Sequence, residues 1–250
     1  MKVKNILVSQ PKPAELEKSP YAELIKKFGV NIVFQKFISI EGIPAKEFRQ
    51  DKINILDFSA VIFTSRNAVD HFFRISKEMR IEVPDSMKYF SISESTAYYL
   101  QKYVQYRKRK VFHSKENYNN LFELIKKHKT EKFLLPCSDI HKLEIPKMLE
   151  ENKIYYRKAI IYKTLACDLS DIDITKFDML VFFSPAGIKS LFKNFPDFKQ
   201  NNTAIGAFGP ATAKAVTDAK LTLNIQAPTK TAPSMTMAIE QYLLNESKKK

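Results

Sequence analysis

The stretch Phe58-Ser59-Ala60-Val61-Ile62-Phe63-Thr64-Ser65 decides how this sequence folds. A short apolar run bounded by small hydroxylic residues reads as a buried strand that ends at a helix cap. The same pattern returns as Phe177-Asp178-Met179-Leu180-Val181-Phe182-Phe183-Ser184. Each copy leads into a helix-period segment carrying a Phe, Phe73 in one and Phe192 in the other. Further on, Ile92-Ser93-Glu94-Ser95-Thr96-Ala97 resembles Phe208-Gly209-Pro210-Ala211-Thr212-Ala213. The two matches are offset by 119 residues (58 to 177) and 116 residues (92 to 208). A second pair repeats too. Residues 6–9 followed by Leu16-Glu17-Lys18-Ser19-Pro20 resemble residues 133–136 followed by Leu143-Glu144-Ile145-Pro146. The order is A, B, A′, B′, which implies two domains of similar fold, each built from one A-type and one B-type block.

Outward from these repeats, strand-like runs alternate with helix-like segments. Strands are expected at 6–9, 32–40, 60–64, 88–92, 110–113, 132–135, 155–164, 179–183, 203–208 and 223–227. Between them, Val69, Phe72 and Phe73 share one helix face, as do Ala97, Leu100 and Val104, and Met235, Ile239 and Tyr242. Such alternation predicts an α/β fold with parallel sheets covered by helices. The blocks can pair as neighbours, A with B and A′ with B′. They can also interleave, with B and A′ forming an inserted domain. The two long strands, 32–40 and 155–164, would then cross between domains, and their excess over an ordinary strand of about five or six residues favours interleaving.

The 250 residues are 44% hydrophobic and 27% charged, the balance of a soluble globular protein rather than a disordered one. No apolar run approaches a membrane span, and the N-terminus does not read as a signal peptide. The two cysteines, Cys137 and Cys167, are too few for a disulfide framework or a zinc site, so a reducing cytoplasm is the expected setting. The charge is the strongest compositional signal: 41 Lys and Arg against 27 Asp and Glu, net +14. Such a chain attracts polyanions. The clusters at 107–110 and 248–250 read as solvated surface, the first in a loop. No nucleic-acid-binding motif accompanies them.

In parallel α/β sheets, ligands bind beyond the carboxyl ends of the strands. Those junctions here carry Thr64, Ser65 and Asn67; Ser93 and Ser95; Ser138; Ser184, Ala186 and Gly187; and Gly209, Ala211 and Thr212. Small and hydroxylic residues let helix N-terminal N–H groups face an anion. They also serve as plain helix caps, which is the structural role open to Ser65, Ser93 and Ser184. His71, His113, His128 and His141 lack metal-ligand spacing, and no dinucleotide or phosphate loop is present. Cys137 at a strand end reads as a structural thiol because no helper His stands out. Tyr162, in the second long strand, is either a core aromatic or a phenolic proton donor in a cleft.

Several of these segments, in this order, resemble the uroporphyrinogen-III synthase family. They are Val61-Ile62-Phe63-Thr64-Ser65-Arg66-Asn67-Ala68-Val69, Ile160-Ile161-Tyr162-Lys163-Thr164, Phe182-Phe183-Ser184-Pro185-Ala186-Gly187, Ala204-Ile205-Gly206-Ala207-Phe208-Gly209-Pro210-Ala211-Thr212-Ala213, and the closing Ala227-Pro228-Thr229. The resemblance implies two flavodoxin-like parallel-sheet domains joined by a two-stranded linker: residues 1–38 with 167–250, residues 42–163, and linker strands at 32–41 and 155–166. It implies a cyclising hydro-lyase that closes hydroxymethylbilane to uroporphyrinogen III with loss of water and inversion of ring D, in tetrapyrrole and haem biosynthesis. No cofactor or metal is expected. The expected partners are the polycarboxylate substrate and the upstream bilane-forming enzyme, with no nucleic acid or membrane, and the chain is expected to be a monomer.

The implied roles put Tyr162 at the departing hydroxyl and Thr64, Ser65, Asn67, Ser93, Ser95 and Ser138 on substrate from one domain. Ser184, Ala186, Gly187, Gly209, Ala211 and Thr212 would bind it from the other. The bilane cyclises without help to the wrong isomer, so the enzyme's task is chiefly positioning, which needs no nucleophile. Two departures from the family pattern are visible. Ser9-Gln10-Pro11 stands where an Arg is common after the first strand, and Gly209-Pro210-Ala211-Thr212 lacks one hydroxyl. A non-catalytic regulator on the same scaffold is the alternative. A nucleic-acid binder using 107–110 would instead show binding that falls steeply with salt.

Overall fold

A computed structural model describes residues 3–114, 118–141 and 143–248. Its strands are β1 (Asn5–Val8), β2 (Asn31–Phe34), β3 (Ile38–Gly42), β4 (Ala60–Phe63), β5 (Lys88–Ser91), β6 (Val111–His113), β7 (Phe133–Ser138), β8 (Tyr156–Ala166), β9 (Met179–Phe182), β10 (Ala204–Phe208) and β11 (Ile225–Ala227). The helices are α1 (Pro20–Phe28), α2 (Ala45–Phe48), α3 (Arg66–Glu78), α4 (Glu94–Tyr99), α5 (Tyr118–Lys126), α6 (Glu144–Glu151), α7 (Pro185–Asn194), α8 (Pro210–Asp218) and α9 (Met235–Lys248). The cluster at 107–110 forms a turn before β6; Lys249 and Lys250 of the other cluster lie outside the described residues.

The strands form two sheets, ordered β11-β10-β9-β1-β2 and β3-β8-β7-β4-β5-β6. Strand β1 pairs in parallel with β9, and β4 pairs in parallel with β7. The first repeat block therefore shares a sheet with the fourth, and the second with the third. Chain contacts divide accordingly into one unit of Met1–Ser39 with Leu165–Lys250 and another of Ile40–Thr164. The first sheet has the 2-1-3-4-5 order of flavodoxin-like folds, counting its strands along the chain. Counted from β7, the parallel strands of the second sheet have the same order, so it is a circular permutation of the first.

Strand alternation explains why both faces of each sheet are covered. In β1 and β9, Ile6, Val8, Met179 and Val181 join Leu24 of α1 and Ile239 and Leu243 of α9 in one core. The intervening Leu7, Leu180 and Phe182 join Ile188 and Leu191 of α7 and Val216 of α8 in the other. The second sheet divides in the same way. Val61 and Phe63 pack with Val69, Phe72 and Ile75 of α3, whereas Ala60 and Ile62 pack with Leu121 and Ile125 of α5 and Leu149 of α6. Two buried faces require apolar residues at successive positions, which is why β4 and β9 read as continuous apolar runs.

The strand expected over 32–40, and with it the linker expected over 32–41, is two strands. The chain leaves β2 at Gln35, whose N–H donates to the Val8 carbonyl at 3.0 Å. Phe37 then buries its ring edge-on to Phe182, 5.5 Å between centroids. Its carbonyl accepts from Cys167 N at 2.9 Å and from Ser190 Oγ at 2.5 Å. One anchored aromatic thus interrupts the ladder. Beyond it, Ile43 N donates to the Ile161 carbonyl. Together with the Cys167 bond to Phe37, this makes β3 run antiparallel to β8, an edge that the apolar pattern does not distinguish from a parallel one.

Leu180 is 1% exposed at the centre of its sheet. Leu180→Ala should lower the stability of that unit by about 2–5 kcal/mol, read from the urea midpoint; a loss under about 1 kcal/mol would contradict this packing.

Candidate functional site

The carboxyl end of the second sheet carries a pocket of about 270 Å³ lined by Thr64, Ser65, Cys137, Ser138, His141, Glu144 and Tyr162, with Leu135, Ile140, Ile145 and Pro146 as apolar wall. Strand lengths bring these residues together. β4 stops at Phe63, so Thr64 and Ser65 form the turn into α3, where Ser65 Oγ caps the helix by accepting from Ala68 N at 3.1 Å. β7 stops at Ser138, which lies opposite Tyr162, but β8, eleven residues long in all, continues to Ala166. A residue in the middle of β8 therefore reaches the sheet's rim.

Tyr162 is 6% exposed, and its Oη lies 3.3 Å from Ser65 Oγ. Burial raises its pKa above the ordinary phenol value of 10, so the group is a protonated phenol through neutral pH. Its ring stacks on His71, 5.0 Å between centroids with a 20° tilt. Arg74 Nε donates to His71 Nδ1 at 3.1 Å, which fixes that nitrogen as the acceptor. The same guanidinium donates to the Ile43 and Ile161 carbonyls at 2.9 and 3.0 Å and pairs with Glu78 at 2.6 Å. Burial first, and the Arg74 cation second, hold His71 below its ordinary pKa. An apolar pocket wall, a neutral imidazole and a bound guanidinium thus position the phenol. Cys137 is a buried thiol pushed up to about 12 by desolvation, an inert structural group rather than a nucleophile.

Other expected residues sit on the same sheet's rim without lining this pocket. Asn67 is exposed on α3, and Ser93 caps α4 by accepting from Thr96 N at 3.3 Å, with exposed Ser95 Oγ 3.2 Å away. In the other unit, Ser184 caps α7 by accepting from Gly187 N at 3.3 Å, and Ala186 is half-buried on that helix. Gly187 is buried, and a Cβ there would meet Phe182 at 3.2 Å. Gly209 precedes α8 at φ +84°, with its N–H on the Ala227 carbonyl and no side-chain cap on that helix. Ala211 is exposed, whereas Thr212 is 2% exposed. Phe183 and Phe208, next to Ser184 and Gly209, stack 5.8 Å apart and give this rim a flat apolar face. A larger concavity, about 710 Å³, lies at the opposite, amino ends of β9 and β10 among Ile174, Phe177, Asn194, Phe198 and Thr203. Ligands of open parallel sheets bind at the other edge, so this hollow is not the site.

Residue types alone tested His71 and His141 only as metal ligands and gave no role to Arg74. His71 and Arg74 lie on α3 at three-residue spacing, on the face that meets β8. Among the described residues no His, Cys, Asp or Glu group is arranged to hold a metal ion, and no helix is long and apolar enough to cross a membrane.

The support beneath Tyr162 depends on Gly42, because a Cβ there would lie 2.6 Å from the Arg74 guanidinium. Gly42→Ala should displace Arg74 and cost about 1–3 kcal/mol in charge-assisted hydrogen bonds. Gly42→Ala combined with Arg74→Ala should cost no more than Arg74→Ala alone; additive losses in urea denaturation would refute the contact. A pH effect follows as well. His71 and His128 are both held below 6.5, chiefly by burial. As pH falls from 6.5 toward about 5, the unfolded chain takes up their protons first, so stability declines. Replacing both with Asn should flatten the stability profile in that window; an unchanged slope would contradict it.

The family model for uroporphyrinogen-III synthase HemD matches residues 19–237. No curated protein matches the chain. Among solved structures, a mutant uroporphyrinogen III synthase from the extremely thermophilic bacterium Thermus thermophilus is 14% identical, with a TM-score of 0.61 over 97% of this chain and 99% of that one. Uroporphyrinogen-III synthetase from Helicobacter pylori is 18% identical, with a TM-score of 0.61 over 97% of this chain and 99% of that one. At such identities the structures show a shared two-domain α/β fold, whereas the family match spans most of the sequence. The chain therefore belongs to the uroporphyrinogen-III synthase HemD family, cyclising hydro-lyases of haem biosynthesis.

Proposed function

We propose that Tyr162 delivers the proton that carries the hydroxyl away from ring A of hydroxymethylbilane, while the two sheet rims hold the rest of the bilane. The observation behind this reading is a desolvated, protonated phenol in a pocket that opens where parallel sheets bind ligands. The C–O bond breaks, water departs and an electron-poor methylene remains. Ring D attacks it through its substituted carbon to form a spiro intermediate. One bond then breaks and rejoins with the ring reversed, and the proton released as the ring regains aromaticity balances the one delivered. Nothing in this sequence requires a nucleophile, consistent with the inert Cys137.

The net charge of +14 draws in a substrate rich in carboxylates. In one unit, Thr64, Ser65, Asn67, Ser93, Ser95 and Ser138 provide hydroxyls and helix-start N–H groups. In the other, Ser184, Ala186, Gly187, Gly209, Ala211 and Thr212 contribute mainly backbone N–H groups, because Thr212 is buried and Ala211 has no hydroxyl. We place the enzyme in a reducing cytoplasm, in line with its free cysteines, and read it as a monomer. The enzyme that releases the bilane is the partner that supplies it. No observation favours the regulator alternative.

Given freshly made hydroxymethylbilane, the protein should yield the type III isomer; type I alone would overturn the reading. Tyr162→Phe should slow turnover about a hundredfold, the scale of a lost general acid. Full turnover and isomer purity in that variant would remove Tyr162 from the chemistry. With the phenol pKa raised above 10, its contribution is present through neutral pH and declines only above that value. A decline centred near neutrality that vanished in Tyr162→Phe would contradict the proton-donor role.

A further inference from the structure

We propose that His141 contacts the bilane directly, its Nε2 accepting a hydrogen bond from a pyrrole N–H; this rests on the reading above and adds a residue to it. The turn after β7 is bound tightly to β8. Ser138 Oγ donates to Asp139 Oδ1 at 2.7 Å and lies 3.1 Å from Thr164 Oγ1, and it also accepts from Ile140 N at 3.3 Å. Asp139 N donates to the Tyr162 carbonyl, and Asp139 Oδ1 accepts from Thr164 N at 3.0 Å. His141 is therefore carried on the same framework as Tyr162. Its Nδ1 lies 2.9 Å from the Ser138 carbonyl oxygen. A carbonyl only accepts, so Nδ1 holds the hydrogen, and the tautomer this selects carries its lone pair at Nε2. That Nε2 is sealed from solvent without a hydrogen-bond partner among the described residues. Buried acceptors are seldom left unpaired, because the fold loses stability for each one.

The pocket shows what kind of group would pair with it. Among the described residues neither Lys nor Arg lines it, whereas Glu144 and the hydroxyls of Thr64, Ser65, Ser138 and Tyr162 do. The Glu144 carboxylate in that wall favours a hydrogen-bond donor such as a ring N–H beside it. The bilane carries both kinds of group: carboxylates on its side chains and an N–H on every ring. About 270 Å³ is small for a complete ligand site and admits part of a tetrapyrrole. A pyrrole bound there pairs its N–H with His141 Nε2 once a small shift of the ring uncovers that nitrogen, in the pocket where Tyr162 meets the departing hydroxyl.

Two substitutions separate this role from simple pinning of the turn. His141→Asn keeps a donor for the Ser138 carbonyl and removes the acceptor. His141→Gln puts an amide oxygen near the position of Nε2. With wild-type protein first shown to make the type III isomer, His141→Asn should raise KM for hydroxymethylbilane about tenfold and increase the type I fraction, whereas His141→Gln should stay within about twofold. Wild-type KM and isomer ratio in His141→Asn, or equal losses in both variants, would overturn the proposal. In the unmodified enzyme, the ¹⁵N resonance of His141 Nε2 should move when uroporphyrinogen III is added without oxygen; an unmoved resonance would overturn it too. Failure of the wild-type protein to make type III would instead defeat the catalytic reading itself.

Discussion

Strand β1 lies between β2 and β9 and bonds to both in parallel register, with Ile6 beside Met179 and Val8 beside Val181. The Asp178 carboxylate fixes that register by accepting from the N–H groups of Lys4 and Asn5 at 2.8 and 2.9 Å. Parallel neighbours cannot be joined by a tight turn, so something must lie between them in sequence. Here the chain places a whole second sheet there. The pairing of β4 with β7 makes the mirror demand on the inserted segment. From these two pairings follow the permuted strand order, the two chain crossings at β3 and β8, and the alignment of all parallel strand ends at one edge of each sheet.

That alignment gives the proposed chemistry its position. Because β8 outruns β7, Tyr162 is at once a strand residue, rigid and desolvated, and a rim residue open to a pocket. Its polar support runs from Glu78 through Arg74 and His71 to the ring, and it passes beneath a glycine that leaves room for the guanidinium. Groups on rigid elements hold geometry better than groups on loops, which suits a reaction whose unaided course gives the wrong isomer. The two rims differ in kind. One offers hydroxyls and a phenol, the other two stacked phenylalanines and backbone N–H groups at Ser184 and Gly209.

The apolar runs of β4 and β9, and the small residues after them, determined by themselves that this is an α/β protein with repeated blocks and parallel sheets, because a strand buried on both faces has no polar alternation to hide. The caps at Ser65, Ser93 and Ser184 were equally legible, since an N-cap is a local hydrogen bond between near neighbours. Tertiary structure alone decided where residues 32–40 break, because the cause is Phe37 packing on Phe182 from a distant strand. It alone decided that β3 runs antiparallel to β8. It also assembled His71, Arg74 and His141 around Tyr162, and it buried Thr212. These depend on contacts between residues far apart in the chain, whose spacing carries no trace of them.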